Sequence, residues 1–126
     1  MTAHRSSYIV KRNLNEGKLW QNKAPFLPKF DMELTERCNN NCIHCYINRP
    51  AEDPDAKGRE LDTETLLGLL EDAADLGCLS VRFTGGEPLL RDDFEEVYLG
   101  ARKLGLQVGL VTNATQVTKA IAELLS

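Results

Sequence analysis

The sequence has no long apolar run. Its longest strictly apolar stretches are two or three residues, far below the ~20 that a membrane-spanning helix needs. Met1–Ser7 carries no apolar segment of the kind a secretory signal requires. A basic surplus is missing too: 15 Lys and Arg stand against 19 Asp and Glu, a formal net charge of −4. No positive field invites phosphate backbones or anionic lipid, so neither nucleic acid nor membrane is an expected partner. Gly-x-Gly-x-x-Gly and Gly-Lys-Ser/Thr are both absent, which removes the usual nucleotide-phosphate cradles. Low-complexity tracts and short internal repeats are absent as well. At 126 residues, 42% hydrophobic and 27% charged, the chain has the composition of one globular domain or part of one.

Cysteine is scarce, with four in all, yet three fall within eight residues, at positions 38, 42 and 45. That crowding suits metal ligation better than crosslinking, and a reducing cytoplasm is the expected compartment.

Residues 1–28 read as an irregular lead-in, with a short apolar patch Tyr8-Ile9-Val10 and a close at Pro25 and Pro28. Phe30 to Thr35 alternates apolar and polar residues with the two-residue period of a strand. The cysteine cluster follows at once, and then a polar loop with Pro50, Pro54 and Gly58. Leu66, Leu69, Leu70, Ala73 and Leu76 recur at helical spacing, with Asp62 placed as N-cap and Gly77 as stop. Leu79 to Phe83 is a second strand, ended by Thr84-Gly85-Gly86-Glu87-Pro88. Phe94, Val97, Tyr98, Ala101 and Leu104 form the next helical stripe, with Asp92 and Glu95 at capping-box spacing and Gly105 as stop. A third strand over Leu106 to Val111, Thr112-Asn113-Ala114-Thr115, and a helix from about Thr118 to Leu125 complete the chain. The order β-α-β-α-β-α predicts a parallel sheet with right-handed crossovers. Ligands of such sheets sit at the carboxyl ends of the strands, and each unusual motif falls there.

Cys38-Asn-Asn-Asn-Cys42-Ile-His-Cys45 puts three thiols on one tight loop, a donor set for zinc or an iron–sulfur cluster. His44 adjoins Cys45 and is poorly placed to share the same ion. Cys78 falls at the opposite end of the sheet and reads as a small buried hydrophobe. Three ligands without an obvious fourth leave a coordination position open, which points to chemistry; the other reading is a structural zinc knuckle or unmetallated thiols. Gly85-Gly86-Glu87-Pro88 alone reads as a turn, although glycine lets backbone approach a ligand and Glu87 can accept from an ammonium group. Asn113, at the mouth of the third strand, reads as a cofactor or substrate contact or as a turn residue. Arg37 reads as a charge that raises the potential of a bound cluster or as a solvated surface arginine. His4 is given no role, and Phe94 and Tyr98 are read as helix core faces.

Cys-x3-Cys-x2-Cys followed by Gly-Gly-Glu-Pro resembles the radical S-adenosylmethionine (radical SAM) superfamily, over roughly residues 29–115. The run from Leu34 to Tyr46 resembles the branch with C-terminal SPASM or twitch auxiliary-cluster domains, many of which modify peptides. The resemblance implies a 4Fe–4S cluster on Cys38, Cys42 and Cys45, with S-adenosylmethionine chelating the fourth iron. Gly85, Gly86 and Glu87 match the motif that receives the methionine amino group. One electron from the cluster would cleave the sulfonium, giving a 5′-deoxyadenosyl radical that abstracts a substrate hydrogen. The cofactor carries that chemistry and the protein positions it. His44 stands where the family often has an aromatic residue near the adenine, and reads equally as a solvated side chain; Tyr46 stands where relatives offer backbone contact to the adenine. A flavodoxin- or ferredoxin-like reductant and a peptide substrate are the partners implied.

The family fold is a partial (β/α)6 TIM-like barrel, of which this sequence supplies three βα units. Residues 29–126 are therefore expected to be the N-terminal half of a radical SAM core, an α/β fold truncated relative to the family. The expectation is the front portion of a longer protein, with completion of the barrel by another chain as the second option. Alone, such a half exposes an edge strand and apolar helix faces, which predicts poor stability or self-association. The function implied is a radical SAM enzyme fragment; the alternative is a non-catalytic partner module with a structural zinc or iron–sulfur site.

Overall fold

The computed structural model describes residues 27–47 and 49–126. Most of the expected lead-in, including Tyr8-Ile9-Val10, lies outside the described residues. Leu27 and Pro28 already belong to the folded body: the Leu27 N–H donates to the Leu76 carbonyl at 3.3 Å, and the Leu79 N–H to the Pro28 carbonyl at 2.9 Å.

The first strand, β1 (Lys29–Glu33), is followed by two-residue strands β2 (Arg37–Cys38) and β3 (Arg49–Pro50). Next come helices α1 (Pro54–Gly58) and α2 (Thr63–Asp75), strand β4 (Ser80–Thr84) and a 3-10 turn at Pro88–Leu90. Helix α3 (Phe94–Lys103), strand β5 (Gln107–Leu110) and helix α4 (Lys119–Leu125) complete the order. β1, β4 and β5 form one sheet in that order and both pairings are parallel, Phe30 opposite Val81 and Val81 opposite Val108. Strands laid down in sequence order keep their crossover helices on one face, the arrangement of a barrel wall rather than of a doubly wound sheet.

Side-chain alternation fits one covered face. Met32, Val81 and Phe83 are buried against Leu66, Leu70 and Ala73 of α2 and Phe94, Val97 and Ala101 of α3. Asp31 and Arg82 alternate to the other face and form an ion pair between neighbouring strands. Phe94 sits edge-on to Phe83 and stacked on Tyr98. At ~1.5–3 kcal/mol for each large apolar side chain buried, this layer dominates the stability.

The helix signals hold in part. Asp62 caps α2 by accepting from the Thr65 N–H at 2.8 Å, Thr118 caps α4, and Gly77 and Gly105 take positive φ of 86° and 80° after their helices. The capping box at Asp92 and Glu95 does not form: Asp93 occupies the N-cap position of α3 and makes no side-chain cap bond. Its carboxylate instead accepts from Arg91 and from the Thr63 hydroxyl. Leu69 and Leu76 of the expected apolar stripe are exposed; the buried stripe of α2 runs along Leu66, Leu70 and Ala73, with Leu67 packed beside it. Short helix α1, with Asp53 as its cap, stands where the sequence suggested only polar loop. Cys78 is buried, with its thiol directed at the Pro28 and Ser80 carbonyls. Among the described residues, no helix is long and apolar enough to cross a membrane.

Candidate functional site

Three loops meet at the carboxyl ends of the strands. The first runs from β1 through the cysteines. It is closed at its base by pairing of Arg37 with Arg49 and Cys38 with Pro50, and by the Arg37 guanidinium donating to the Ala51 carbonyl at 3.0 Å. Cys38 is half-buried at that base, whereas Cys42, His44, Cys45 and Tyr46 are exposed. The Cys45 N–H donates to the Cys42 carbonyl at 3.1 Å, and the Tyr46 hydroxyl to Glu33 at 2.7 Å. That hydroxyl is held above its ordinary pKa by its bond to the Glu33 carboxylate, with partial desolvation and the Glu33 charge adding to the effect.

The second loop explains the paired glycines. The Gly86 N–H donates to the Thr35 carbonyl at 2.7 Å and the Glu87 N–H to the Arg37 carbonyl at 2.8 Å. A Cβ on Gly85, whose φ is +132°, would lie 2.3 Å from the Thr35 carbonyl oxygen, and one on Gly86 would lie 2.1 Å from that of Arg37. Both positions therefore demand glycine for close backbone approach. The motif is the seat of the cysteine loop.

Glu87 is fully buried and its carboxylate is already satisfied within the protein. One oxygen accepts from the Leu89 N–H at 3.1 Å and the Thr112 hydroxyl at 2.7 Å; the other accepts from the Asn113 N–H at 2.8 Å. Of its two oxygens, the one facing Asn113 accepts a single hydrogen bond and the other two. Asn113 belongs to the third loop, and its side-chain amide donates to Asn39 at 2.9 Å and toward the Cys38 sulfur at 3.8 Å. Asn39 in turn donates to Thr115 at 2.7 Å. Ala114 takes a left-handed φ of 63° to make this turn, a strained conformation for a residue with a Cβ. The three motifs are thus linked as Gly86–Glu87 to Thr112–Asn113 to Cys38–Asn39.

Beneath them lies a polar network with no counterpart in the sequence reading. Arg37 is buried, not solvated as expected, because its guanidinium pairs with Glu60 at 2.6 Å. Glu60 also accepts from the Thr35 hydroxyl. Arg91, likewise buried, donates to the Leu34 and Leu61 carbonyls at 3.0 and 2.9 Å and forks onto Asp93 at 2.8 and 2.6 Å. Desolvation pushes Glu60 up, but bonds from Arg37 and Thr35 and the charges of Arg37 and Arg91 outweigh it and hold the carboxyl below its ordinary value. The Arg91 bond does the same for Asp93. The only local signal was Arg91 two residues ahead of Asp93; Glu60 and Thr63 are distant in sequence.

Among the described residues, no three of His, Cys, Asp and Glu are gathered closely enough to hold a metal ion. The donor set still fits an iron–sulfur cluster: three thiols outside any disulfide, on one loop, two of them exposed. Ile43 between them is 104% exposed, so no core packing opposes bringing Cys42 and Cys45 toward Cys38.

The sequence profile of the radical SAM superfamily matches residues 32–126. The chain belongs to the radical SAM superfamily. Members use a 4Fe–4S cluster and S-adenosylmethionine. Among its relatives is the PqqA peptide cyclase of Gluconobacter oxydans, 46% identical over 81 residues, 64% of this chain and 22% of that protein. The PqqA peptide cyclase of Bradyrhizobium diazoefficiens is 38% identical over 88 residues, 70% of this chain and 22% of the relative. The Fe-coproporphyrin III synthase of Methanosarcina barkeri is 37% identical over 92 residues, 73% and 22% of the two chains. This radical SAM chain thus spans about a fifth of the length of these relatives.

Proposed function

We propose that residues 29–126 form the N-terminal half of a radical SAM core, and that the whole protein generates a 5′-deoxyadenosyl radical to modify a peptide. The observation that carries this reading is the junction at the sheet mouth, where the glycine motif, the Thr-Asn loop and the first cysteine join by hydrogen bonds. Cys38, Cys42 and Cys45 are the residues to hold the cluster, which when bound supplies the electron that cleaves S-adenosylmethionine.

The chain's own residues do the positioning. Gly85 and Gly86 bring the second loop against the first, where the Gly86 and Glu87 N–H groups donate to the Thr35 and Arg37 carbonyls. Gly85, Gly86 and Glu87 are the proposed receivers of the methionine amino group, with Glu87 held in place by its bonds to Leu89, Thr112 and Asn113. His44 and Tyr46 flank Cys45 on the exposed arm, where adenine contact would fall. A flavodoxin- or ferredoxin-like protein is the proposed reductant. The peptide substrate class rests on the cyclase relatives. A relative named for iron-coproporphyrin III matches to a similar extent, so substrate choice is assigned to the rest of the barrel.

The test is anaerobic reconstitution with iron and sulfide, followed by the EPR spectrum of the reduced protein with and without S-adenosylmethionine. A 4Fe–4S signal that shifts on adding the cofactor is expected, and it should vanish on joint Cys38→Ala, Cys42→Ala and Cys45→Ala substitution. Zinc alone, with iron and sulfide supplied, would overturn the proposal in favour of a structural metal module.

A further inference from the structure

We propose that Asn113 and Glu87 form a positioning pair that tunes the cluster through its first ligand: Asn113 donates to the Cys38 sulfur, and buried Glu87 aims it. The inference rests on the radical SAM reading but concerns hydrogen bonds within this chain. The Cys38 sulfur accepts from two directions, the Asn40 N–H at 3.4 Å and the Asn113 side-chain amide at 3.8 Å. The same Asn113 amide donates to Asn39 at 2.9 Å, and the Asn113 side-chain carbonyl accepts from the Thr115 N–H at 3.0 Å. The amide is therefore fixed in its orientation, with its nitrogen toward the cysteine.

What fixes the backbone of Asn113 is Glu87. A fully buried carboxylate must have its oxygens satisfied, and the Thr112 hydroxyl and Asn113 N–H satisfy them from the next loop. The glycine motif and the third loop thereby become one unit, and Ala114 is held in its left-handed conformation as part of it. Hydrogen bonds to ligand sulfur stabilise the more negative, reduced cluster, so they raise its potential. Asn113 is in this role a donor to a thiolate, and Glu87 acts only through it.

The experiment is a redox titration of the reconstituted protein against one-electron viologen mediators, followed by EPR, alongside hydrogen exchange resolved by peptide. Asn113→Asp keeps the size and replaces the donor by an acceptor. It should lower the reduced-to-oxidised ratio at fixed poise by several-fold to tenfold, tenfold being about 59 mV for one electron. Asn113→Leu should give a smaller fall, and Glu87→Gln a fall of the same sign with faster exchange confined to residues 111–117. Combining Glu87→Gln with Asn113→Leu should add nothing to Asn113→Leu alone. Asn113→Asp protein with a cluster and an unmoved potential overturns the proposal. So does an additive double variant, or loss of exchange protection throughout β4 and α2, which would make Glu87 a general fold determinant. Failure of Asn113→Asp to take up iron while its exchange elsewhere is unchanged supports the placement at Cys38. Absence of a cluster in the unsubstituted protein overturns the pair along with the function reading; a cluster there with unmoved variants sinks the pair alone.

Discussion

The cysteine loop and the floor on which it stands are built on opposite principles. The floor of Thr35, Arg37, Glu87 and Arg91 is buried, and every buried side-chain donor and acceptor among the described residues has a partner. The loop above it exposes Cys42, Ile43, His44, Cys45 and Tyr46. It is tied at its base through Cys38 and on its far arm by the Tyr46–Glu33 bond. Folding energy is concentrated where it sets the relative position of three strand ends. The thiols that must adapt to a ligand are left outside the packed region, as expected of a segment drawn from the low-stability end of a structure.

The sharpest way to break this contrast is to push the seat and the loop apart. Gly86→Ala sets a methyl 2.1 Å from the Arg37 carbonyl oxygen, a backbone atom that cannot swing aside. It should cost more than about 4 kcal/mol in urea denaturation, or prevent folding. Gly58→Ala has nothing within 4 Å of the new methyl, ends a helix, and should be neutral or stabilising by up to about 1 kcal/mol. Equal effects at the two sites would dissolve the distinction.

Next in size is the ion network. Arg91→Met strips the half-buried Asp93 carboxylate of its ion partner, leaving it the Thr63 hydroxyl, and takes the donor from two main-chain carbonyls, so about 3 kcal/mol should be lost. Acid tests the same groups more gently. Asp93 and Glu60 have depressed folded pKa values, so their contribution is complete above the unfolded carboxylate range near pH ~4. It is lost as pH falls through the folded values. Denaturation midpoints should therefore drop below pH ~4, and Asp93→Asn should flatten that drop while lowering stability at neutral pH. An unchanged slope in Asp93→Asn would show that other carboxylates govern acid unfolding.

What the sequence disclosed follows the same division. The order of the three sheet strands and three longer helices was legible because these carry their own period and, as at Gly77 and Gly105, their own stop, whereas α1, β2 and β3 are too short to show a period. The cysteine motif was legible because eight consecutive residues contain it. The floor was not, because its partners are remote: Arg37 meets Glu60 across 23 positions and Glu87 meets Asn113 across 26. A charged residue whose partner is that distant reads as solvated. Asp92 misled for a related reason: its capping-box spacing is local, but the neighbouring Asp93 takes the N-cap position while its carboxylate is engaged with Arg91 and Thr63.

The smallest effect is expected at the tether of the loop's far arm. Tyr46→Phe removes one exposed hydrogen bond to Glu33 and leaves the floor intact, so the urea midpoint should not move measurably. The loop should nevertheless open more often, because that bond is its attachment on the side of Cys45. Hydrogen exchange over residues 39–47 should quicken several-fold while exchange in α2 and β4 stays constant. Glu33→Gln should reproduce the change in part and also bring the Tyr46 hydroxyl down toward its ordinary pKa, since the carboxylate it donates to is what raises it. A shift in the urea midpoint as large as that of Arg91→Met would mean that loop and floor unfold together. An unchanged loop exchange rate would mean that the base of the loop, at Cys38 and Arg37, alone holds the thiols in place.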